Sequence, residues 1–229
     1  MHVISLGGSI IAPDRVDTGF LKGFDALIRE YLNTYTDAQL VLVTGGGGPA
    51  RTYQQAYRDI TPAAGGDEQD WIGIAATRLN ARLLKAIFHD FCTQDVVTNP
   101  YEVNTVEERI LIAAGWKPGF STDFDAVVLA ERLGAPVVIN LSNIAKVYSD
   151  DPKTNPDAEP IDSISWEDFQ AIVGEEWVPG KNAPFDPVAT KRARELGLTV
   201  IVADGKNLDN LRAILFSEDR FEGTVIGAS

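Results

Sequence analysis

One stretch decides the fold of this chain: Leu40-Val41-Leu42-Val43-Thr44-Gly45-Gly46-Gly47-Gly48-Pro49-Ala50-Arg51. Its leading apolar residues predict a buried strand. The glycines interrupt that strand, and a helix is predicted from about Pro49, because proline is well tolerated in a first helical turn. A strand that runs through glycines into a helix presents unpaired backbone amides and a positive dipole end to a phosphate. Arg51, one turn into the helix, adds a permanent positive charge.

Other interpretations of this stretch fit less well. A plain tight turn does not need the entropy cost of four consecutive glycines. A Walker A loop is excluded, because no Gly-Lys-Ser/Thr follows at the required spacing. Gly45, Gly47 and Ala50 do fill the G-x-G-x-x-A positions of a dinucleotide-binding turn. That turn requires an acid at the end of the next strand, whereas the acids about 20 residues further on lie in a polar run with no strand before it.

A second strand-then-glycine corner lies at the N-terminus. His2 to Leu6 reads as a strand, and Gly7-Gly8-Ser9 follows it as a turn. Alone this signal is weak, and a simple turn would explain it. Together with the Gly45 corner it predicts two phosphate cradles on one edge of a sheet.

The composition bounds the class of protein. The 229 residues are 45% hydrophobic and carry a formal net charge of −13. A sizeable core is therefore expected, and neither nucleic acid nor an anionic membrane is expected as a partner. Cys92 is the single cysteine, which excludes an internal disulfide and predicts a reducing, cytoplasmic setting. Neither a signal peptide nor a membrane helix is predicted, because no apolar run approaches about 18 residues.

Strands and helices alternate along the chain. Apolar residues at helical spacing predict helices at 18–34 and at about 71–91, the second behind an Asp70 cap. Thr122 with Asp125, and Asp186 with Pro187, predict two further helix starts. The apolar segments 136–141 and 198–203 predict strands covered on both faces, and shorter strands are predicted at 95–98 and 110–114. The pattern predicts an α/β fold with a mainly parallel, doubly covered sheet.

A set of motifs in fixed order resembles the amino acid kinase family and, within it, the archaeal-type UMP kinases. They are Leu6-Gly7-Gly8-Ser9, the Gly45 to Arg51 loop, Asp70-Trp71-Ile72-Gly73-Ile74 with its Thr77-Arg78 extension, Pro118-Gly119-Phe120-Ser121-Thr122-Asp123-Phe124-Asp125-Ala126, residues 142–152, Phe185-Asp186-Pro187-Val188-Ala189 and Gly223-Thr224-Val225-Ile226. Each motif is modest alone, but their order and spacing are specific and span nearly the whole chain. The resemblance implies a three-layer sandwich around a mostly parallel sheet of about eight strands.

The resemblance also implies one domain over residues 1–229, with an acceptor-binding part at about 1–135 and an ATP-binding part at about 136–229. The implied reaction moves the γ-phosphoryl group of ATP to UMP and gives UDP and ADP, a step of pyrimidine nucleotide biosynthesis. UMP and ATP are then the partners, and Mg²⁺ bridges the ATP phosphates without a residue assigned as its ligand. A homohexamer is implied as well.

The resemblance implies a role for each matched position. UMP is expected at Gly46 and Asp70, beneath a loop of Lys117, Pro118, Gly119, Phe120, Ser121, Thr122 and Asp123. ATP is expected at Gly7, Gly8, Ser9, Gly47, Arg51, Ser142, Asn143, Tyr148 and Asp151. The catalytic groups are expected to be Arg51, Lys146 and Asp123.

Two positions depart from the family pattern. Many members carry a lysine where this chain has Ser5, although some archaeal-type UMP kinases also lack it. The family's Val-Asp-Gly-Val-Tyr run appears here as Ile144-Ala145-Lys146-Val147-Tyr148. We hypothesise that Lys146 supplies positive charge near the transferred phosphoryl group, with Lys181 and Arg51 as further candidates and a solvated surface lysine as the alternative.

Two rival functions stay open at this point. One is a phosphotransferase of the same family with another acceptor, such as a carboxylate. The other is a non-catalytic nucleotide or oxyanion-binding protein on the same scaffold, which the absent lysine and the altered Ala145-Lys146 pair motivate. The Asp70 and Thr122-Asp123 matches favour a nucleotide acceptor.

Overall fold

A computed structural model describes residues 1–152, 154–174, 183–218 and 220–227. Its strands are β1 (His2–Leu6), β2 (Leu40–Thr44), β3 (Ile110–Ala113), β4 (Val137–Ser142), β5 (Val147–Tyr148), β6 (Pro160–Ile161), β7 (Ser163–Ile164), β8 (Thr199–Asp204) and β9 (Thr224–Ile226). Its helices are α1 (Gly8–Ile11), α2 (Thr18–Thr34), α3 (Gly47–Ile60), α4 (Gly66–Ile87), α5 (Thr122–Leu133), α6 (Trp166–Val173), α7 (Pro187–Glu195) and α8 (Leu208–Leu215), with a 3-10 turn at Pro100–Glu102.

The strands form a seven-stranded sheet in the order β3-β2-β1-β4-β8-β9-β7, beside a separate β5–β6 ribbon. All neighbours in the sheet are parallel except β8 and β9. The mostly parallel sheet is confirmed, with seven strands where about eight were expected. From β1 the chain builds outward to β2 and β3 on one side and to β4 and β8 on the other. The crevice between the carboxyl ends of β1 and β4 is therefore the switch point at which α/β sheets bind ligands.

Helices cover both faces of the sheet and divide the core in two. One cluster holds Ile4 and Leu6 against side chains of α2, α4 and α8. The other holds Val3 and Val138 against α5, α6 and α7. Alternate strand residues serve the two clusters, as the two-residue period of a strand requires. The three-layer α/β sandwich predicted from the sequence is confirmed. Among the described helices, none is long and apolar enough to cross a membrane.

Local predictions met different outcomes. The helix at 18–34 has the predicted bounds, and Asp186 caps α7 through the amide of Ala189 at 2.7 Å. The predicted strand at 95–98 is wrong, since only Val97 bridges to Ala113. Gly7–Ser9 is not a simple turn, because α1 begins at Gly8.

Two predicted helix starts are displaced. The second long helix begins at Gly66 rather than beyond Asp70, so Asp70 lies inside α4 and does not cap it. The cap of α5 is Ser121, whose Oγ accepts the Phe124 amide at 3.2 Å. Thr122 is the first helical residue, so the predicted Thr122–Asp125 capping box is wrong.

Candidate active site

The two glycine corners meet where β1 and β2 end. A Cβ on Gly8 would lie 2.1 Å from the Gly47 nitrogen and 2.6 Å from the Gly46 nitrogen. A Cβ on Gly45 would lie 2.4 Å from the Gly8 nitrogen. These are distances to backbone atoms, which have no side-chain freedom with which to move away. The corners are therefore interlocked, and glycine at Gly8 and Gly45 is required for this packing alone.

The corners still present free amides. Gly7, Gly45 and Gly48 use their N–H groups inside the protein, donating to Leu141, Leu6 and Ala12 carbonyls at 2.9, 3.0 and 2.7 Å. In the described part of the chain no acceptor serves the amides of Gly8, Ser9, Gly46 and Gly47. Unpaired amides clustered at strand ends and helix starts are suited to phosphate oxygens. The predicted pair of cradles is thus one continuous surface.

Two side chains brace this surface. Asn80 of α4 is buried and donates from Nδ2 to the Gly45 carbonyl at 2.7 Å. Arg51 donates from Nη2 to the Pro13 carbonyl at 2.7 Å and forms no ion pair with any acid in the described ranges. Its charge is thereby held over the α1 end of the corner without being neutralised.

Residues Gly115 to Phe120, here called the acceptor loop, follow β3. Side chains of α4 and α5 hold its backbone at four points. The Gly115 amide donates to Thr77 Oγ1 at 2.9 Å, and the Trp116 amide donates to Asp125 Oδ2 at 3.1 Å. Arg78 Nη2 donates to the Trp116 carbonyl at 3.3 Å, and the Gly119 amide donates to Asp70 Oδ2 at 2.9 Å. The predicted Asp70 and acceptor-loop residues are therefore in contact.

The side chains of the acceptor loop form an aromatic row. Ring centroids are 5.1 Å apart for Tyr101 and Trp116 and 5.0 Å apart for Trp116 and Phe120. The Lys117 ammonium lies 4.0 Å from the centre of the Trp116 ring. Such a cation–π contact fixes the position of a lysine without neutralising it. Gly119 has a φ of +84°, which favours glycine at that point of the loop.

Carboxylates gather under the N-terminus of α5. Asp123 Oδ1 accepts the Ser5 hydroxyl at 2.9 Å. Burial raises the pKa of Asp123 to about 6, the Ser5 hydrogen bond opposes this, and the nearby Asp186 carboxylate adds to it. Burial likewise raises the pKa of Asp186. The position at which many family members carry lysine thus holds a hydroxyl that satisfies Asp123.

The end of β4 carries the other predicted nucleotide residues. The Ser142 carbonyl accepts the Gly205 amide at 2.8 Å, and the Ser142 Oγ is buried without a partner among the described residues. Tyr148 ends the short strand β5, and the Asp151 carbonyl accepts the Asn155 amide at 2.8 Å. Ser142 ends β4 at the switch point and Asn143 follows it. Ser142 lies directly beside Gly7, whose Cβ would lie 3.7 Å from Ser142 Cα.

The described contacts of Lys146 are not with the glycine corners. Its ammonium pairs with the Asp162 carboxylate, and this hydrogen bond raises the pKa of Lys146. Lys181, the other candidate lysine, lies outside the described residues.

Comparison with known proteins now decides the family. The sequence model of the amino acid kinase family matches residues 1–204. The chain belongs to this family. It is 39% identical to a uridylate kinase of Methanosarcina mazei over 222 residues, 94% of this chain and 91% of that one. It is 36% identical to a uridylate kinase of Methanocorpusculum labreanum over 233 residues, 99% and 95% of the two chains.

Solved structures agree with this membership. A uridylate kinase from Archaeoglobus fulgidus matches with a TM-score of 0.81 and 30% identity, covering 98% of this chain and 99% of that one. A UMP kinase from Bacillus anthracis matches with a TM-score of 0.74 at 21% identity, covering 98% and 94%. The second likeness shows the amino acid kinase fold alone.

Whether this site could hold Mg²⁺ depends on the donor atoms that the protein offers to the ion. Within the ranges that the structure describes, no group of three or more acids, histidines or cysteines is arranged to hold a metal ion. Mg²⁺ commonly keeps several waters and binds through substrate phosphates and one or two carboxylates. The chain therefore fits an ion carried in with the nucleotide better than one held in a protein cage.

Sequence reasoning missed the braces of the site. Asn80 was given no role, Thr77 was named only as part of a motif, and Asp125 was predicted in a capping box. Each of them bonds the backbone of a glycine corner or of the acceptor loop. The sequence did offer a signal for these braces: a polar residue at a position that the helical spacing of its apolar neighbours places in the core. All three are buried, with exposed fractions of 3%, 6% and 1%.

Proposed function

We propose that this chain is a UMP kinase, which transfers the γ-phosphoryl group of ATP to the α-phosphate of UMP. One observation supports it above the others: the amides of Gly8, Ser9, Gly46 and Gly47 are free and adjacent on two interlocked corners. Two phosphate esters can then lie side by side, as an in-line exchange between two nucleotides requires. The uridylate kinases among the relatives favour UMP as the acceptor.

Each side of the site receives one nucleotide. We assign Gly46 to the UMP phosphate and Asp70 to the UMP ribose, since its second oxygen stays available after the bond to Gly119. The acceptor loop, Ser121 and Thr122 close over UMP. ATP lies along the crevice between β1 and β4, where Gly7, Gly8, Ser9, Gly47, Ser142, Asn143, Tyr148 and Asp151 contact it. The acceptor part, about 1–135, and the ATP part, about 136–229, then act as one domain.

Catalysis here consists of alignment and charge stabilisation. The transition state of phosphoryl transfer is loose and places charge on the equatorial oxygens, so donors and cations near them lower the barrier. We assign that task to the free amides, to the unpaired guanidinium of Arg51 and to Lys146. Mg²⁺ bound together with ATP would neutralise part of the charge of the phosphates that the free amides face. Asp123 orders the floor of the site through Ser5 and the amide of Asp186.

An acceptor panel tests this function. The protein, ATP and Mg²⁺ are incubated with UMP, CMP, AMP, acetylglutamate or carbamate, and ADP release is followed by a coupled assay. UMP should be the preferred acceptor. Preference for another acceptor would favour a different phosphotransferase of the family. ATP binding with no transfer to any acceptor would favour a nucleotide-binding protein.

We propose a homo-oligomer, a hexamer by resemblance, that assembles through the outer side of α4. Leu79 and Trp71 are exposed there by 67% and 44%. The helix carries Asp67 and Glu68 in its first turn and Lys85 in its last. Two copies packed antiparallel would place these opposite charges together, which suits a two-fold interface. The α2 helix is not assigned to this interface, because its apolar residues lie in the core.

Light scattering after gel filtration tests the interface. Leu79→Glu should reduce the mass of the assembly, because a charge would be buried at its centre. Val16→Glu is the matched control, since Val16 is an exposed apolar residue away from α4. An unchanged mass for Leu79→Glu would reject this interface.

We place the reaction in the cytoplasm, to which the free thiol of Cys92 is suited.

A further inference from the structure

One of the four groups that hold the acceptor loop is a buried acid. Asp125 is 1% exposed and accepts the Trp116 amide through Oδ2 at 3.1 Å. Its Oδ1 is buried and has no hydrogen-bond partner among the described residues. A buried carboxylate normally gathers several donors or a cation. With a single backbone donor, Asp125 is poorly equipped to carry a negative charge.

Asp125 is not part of the phosphate surface. It lies in the first turn of α5, two residues after Asp123, and contacts the acceptor loop through its bond to the Trp116 amide. The carbonyl of Trp116 is held from α4 by Arg78, and the Trp116 ring contacts the tilted rings of Tyr101 and Phe120 and the Lys117 ammonium. Any change in the charge of Asp125 therefore acts first on the backbone that carries this aromatic row.

The charged and titratable neighbours of Asp125 offer no compensation. Asp123 on the same helix raises the pKa of Asp125 through charge repulsion. The elements around it present Arg78 on α4, Lys117 in the acceptor loop, and Tyr101 and Glu102 in the 3-10 turn. The α7 helix, which packs on α5, presents Asp186 at its start and Arg192, and Arg192 pairs with Glu131. In the described structure Arg78 donates to a carbonyl, Lys117 lies on an aromatic ring, and Glu102 accepts from Asn99. No hydrogen bond or ion pair described here joins any of them to the Asp125 carboxylate.

We propose that Asp125 is a positioning residue whose protonation state sets how tightly the acceptor loop holds UMP. The proposal rests on the proposed UMP kinase function. In the protonated form Asp125 is neutral and still accepts the Trp116 amide. In the ionised form an uncompensated negative charge lies under the loop, beside Asp123, and opposes the negative phosphate of UMP. Deprotonation strengthens the bond from the Trp116 amide, because the acceptor is then charged. The added negative charge on the acceptor side repels the UMP phosphate, so UMP binding weakens and the ATP side is unchanged.

The titration falls in the working range of pH. Burial raises the pKa of Asp125 to about 7, the Trp116 amide opposes this and Asp123 adds to it. The KM for UMP should therefore rise between about pH 6 and about pH 8, by several-fold. The UMP phosphate itself titrates near pH 6, but that effect is common to every variant.

The test compares the wild type with Asp125→Asn, Asp125→Ala and the control Asp37→Asn, an exposed acid remote from the loop. Steady-state kinetics give kcat and both KM values over this pH range. Asp125→Asn should keep the bond to Trp116 and lose the extra pH dependence of the KM for UMP, while Asp37→Asn behaves as wild type. Asp125→Ala leaves the Trp116 amide unpaired and should raise the KM for UMP by about tenfold at every pH. The KM for ATP should not change.

Two outcomes would overturn the proposal. One is an identical pH profile of the KM for UMP in wild type and Asp125→Asn. The other is an equal change of both KM values and kcat in Asp125→Asn, which would mark a general structural role. Asp125→Asn decides the question if Asp125→Ala does not fold.

A ligand-free measurement separates this proposal from the proposed function. The tryptophan fluorescence of the wild type should titrate near pH 7, and the transition should be absent in Asp125→Asn and in Trp116→Phe. If UMP is not phosphorylated but this transition is present, the function fails and the proton-linked loop stands. If UMP is phosphorylated and the transition is absent, the loop proposal fails alone.

Discussion

The interlocked glycine corners make one substitution decisive. Gly8→Ala adds a single methyl group at the point where the end of β1 meets the end of β2. That methyl would lie 2.1 Å from the Gly47 nitrogen and 2.6 Å from both the Gly46 nitrogen and the Gly45 carbonyl carbon. All three neighbours are backbone atoms, so no rotamer change can remove the overlap. The two corners must separate.

The size of the effect follows from that separation. Carbon–nitrogen contacts need roughly 3.4 Å or more, so the corners must move apart by about 1 Å. A misplacement of about 1 Å in reacting groups can lower the rate about 100-fold. Overpacking of a close-packed site also costs about 1–3 kcal/mol in the free energy of unfolding. We therefore expect kcat/KM of Gly8→Ala to fall at least about 100-fold, with a moderate loss of stability.

The assay pairs ADP release with urea unfolding, and Gly66→Ala is the matched control. A Cβ on Gly66, the first residue of α4, would meet nothing within 4 Å. This control should keep wild-type kcat/KM and gain roughly 0.5–1 kcal/mol in stability, because alanine restricts the unfolded chain. Gly8→Ala with wild-type kcat/KM would refute the reasoning, since it would show that the corners need not touch for catalysis. A loss of activity in both Gly8→Ala and Gly66→Ala would show that the effect does not come from the contact between the two corners.

Two further substitutions test the charges of the site. Lys146→Ala should lower kcat about 100-fold if its ammonium leaves Asp162 for the transferred phosphoryl group, whereas Asp162→Asn should not; an unchanged kcat in Lys146→Ala would return this lysine to the surface. Asp125→Asn should become more stable than the wild type as pH rises. In the wild type the folded pKa of Asp125, about 7, exceeds the unfolded value of about 3.9, so ionisation of this carboxyl destabilises the folded protein. This destabilisation is absent below about pH 4, grows with pH and is complete above about pH 7. Urea unfolding at these two pH limits should show that the difference in the free energy of unfolding between the two proteins grows by on the order of 3 kcal/mol. A difference that does not change with pH would show that folding does not shift the pKa of Asp125.

The sequence predicted elements best where burial dictates the pattern. In α2 every apolar residue at helical spacing is in the core, and Asp17 accepts the Phe20 amide at the start, so pattern and cap agree. In α4 the first turn is polar and exposed, so its sequence pattern is that of a loop. Asp67 and Glu68 are nevertheless favoured there, because the N-terminal end of the helix dipole attracts negative charge. The boundary between loop and helix was therefore misplaced there.

The site was predictable in its residue types but not in its contacts. The glycine runs indicated phosphate binding. Nothing local could reveal that Gly8 and Gly47 lie against each other, because they begin two helices that follow different strands. Ser5 was recognised as a departure, but its bond to Asp123 depends on a residue far along the chain. Long-range packing decides such pairs, and a sequence pattern of short period does not contain it.

The same glycines answer two demands that can now be separated. Gly45 and Gly48 have their amides bonded inside the protein, so they serve the packing of the corners. The amides of Gly46 and Gly47 have no acceptor among the residues that the structure describes, so these are the amides that we assign to phosphate oxygens. The packing that forces Gly8 against Gly47 also sets the distance between the two free-amide groups. Under the proposed function this distance is also the one between the phosphates of the two nucleotides. Under the proposed function Ser5 supplies no positive charge where a lysine would, so we expect alignment by these amides to contribute more of the barrier reduction.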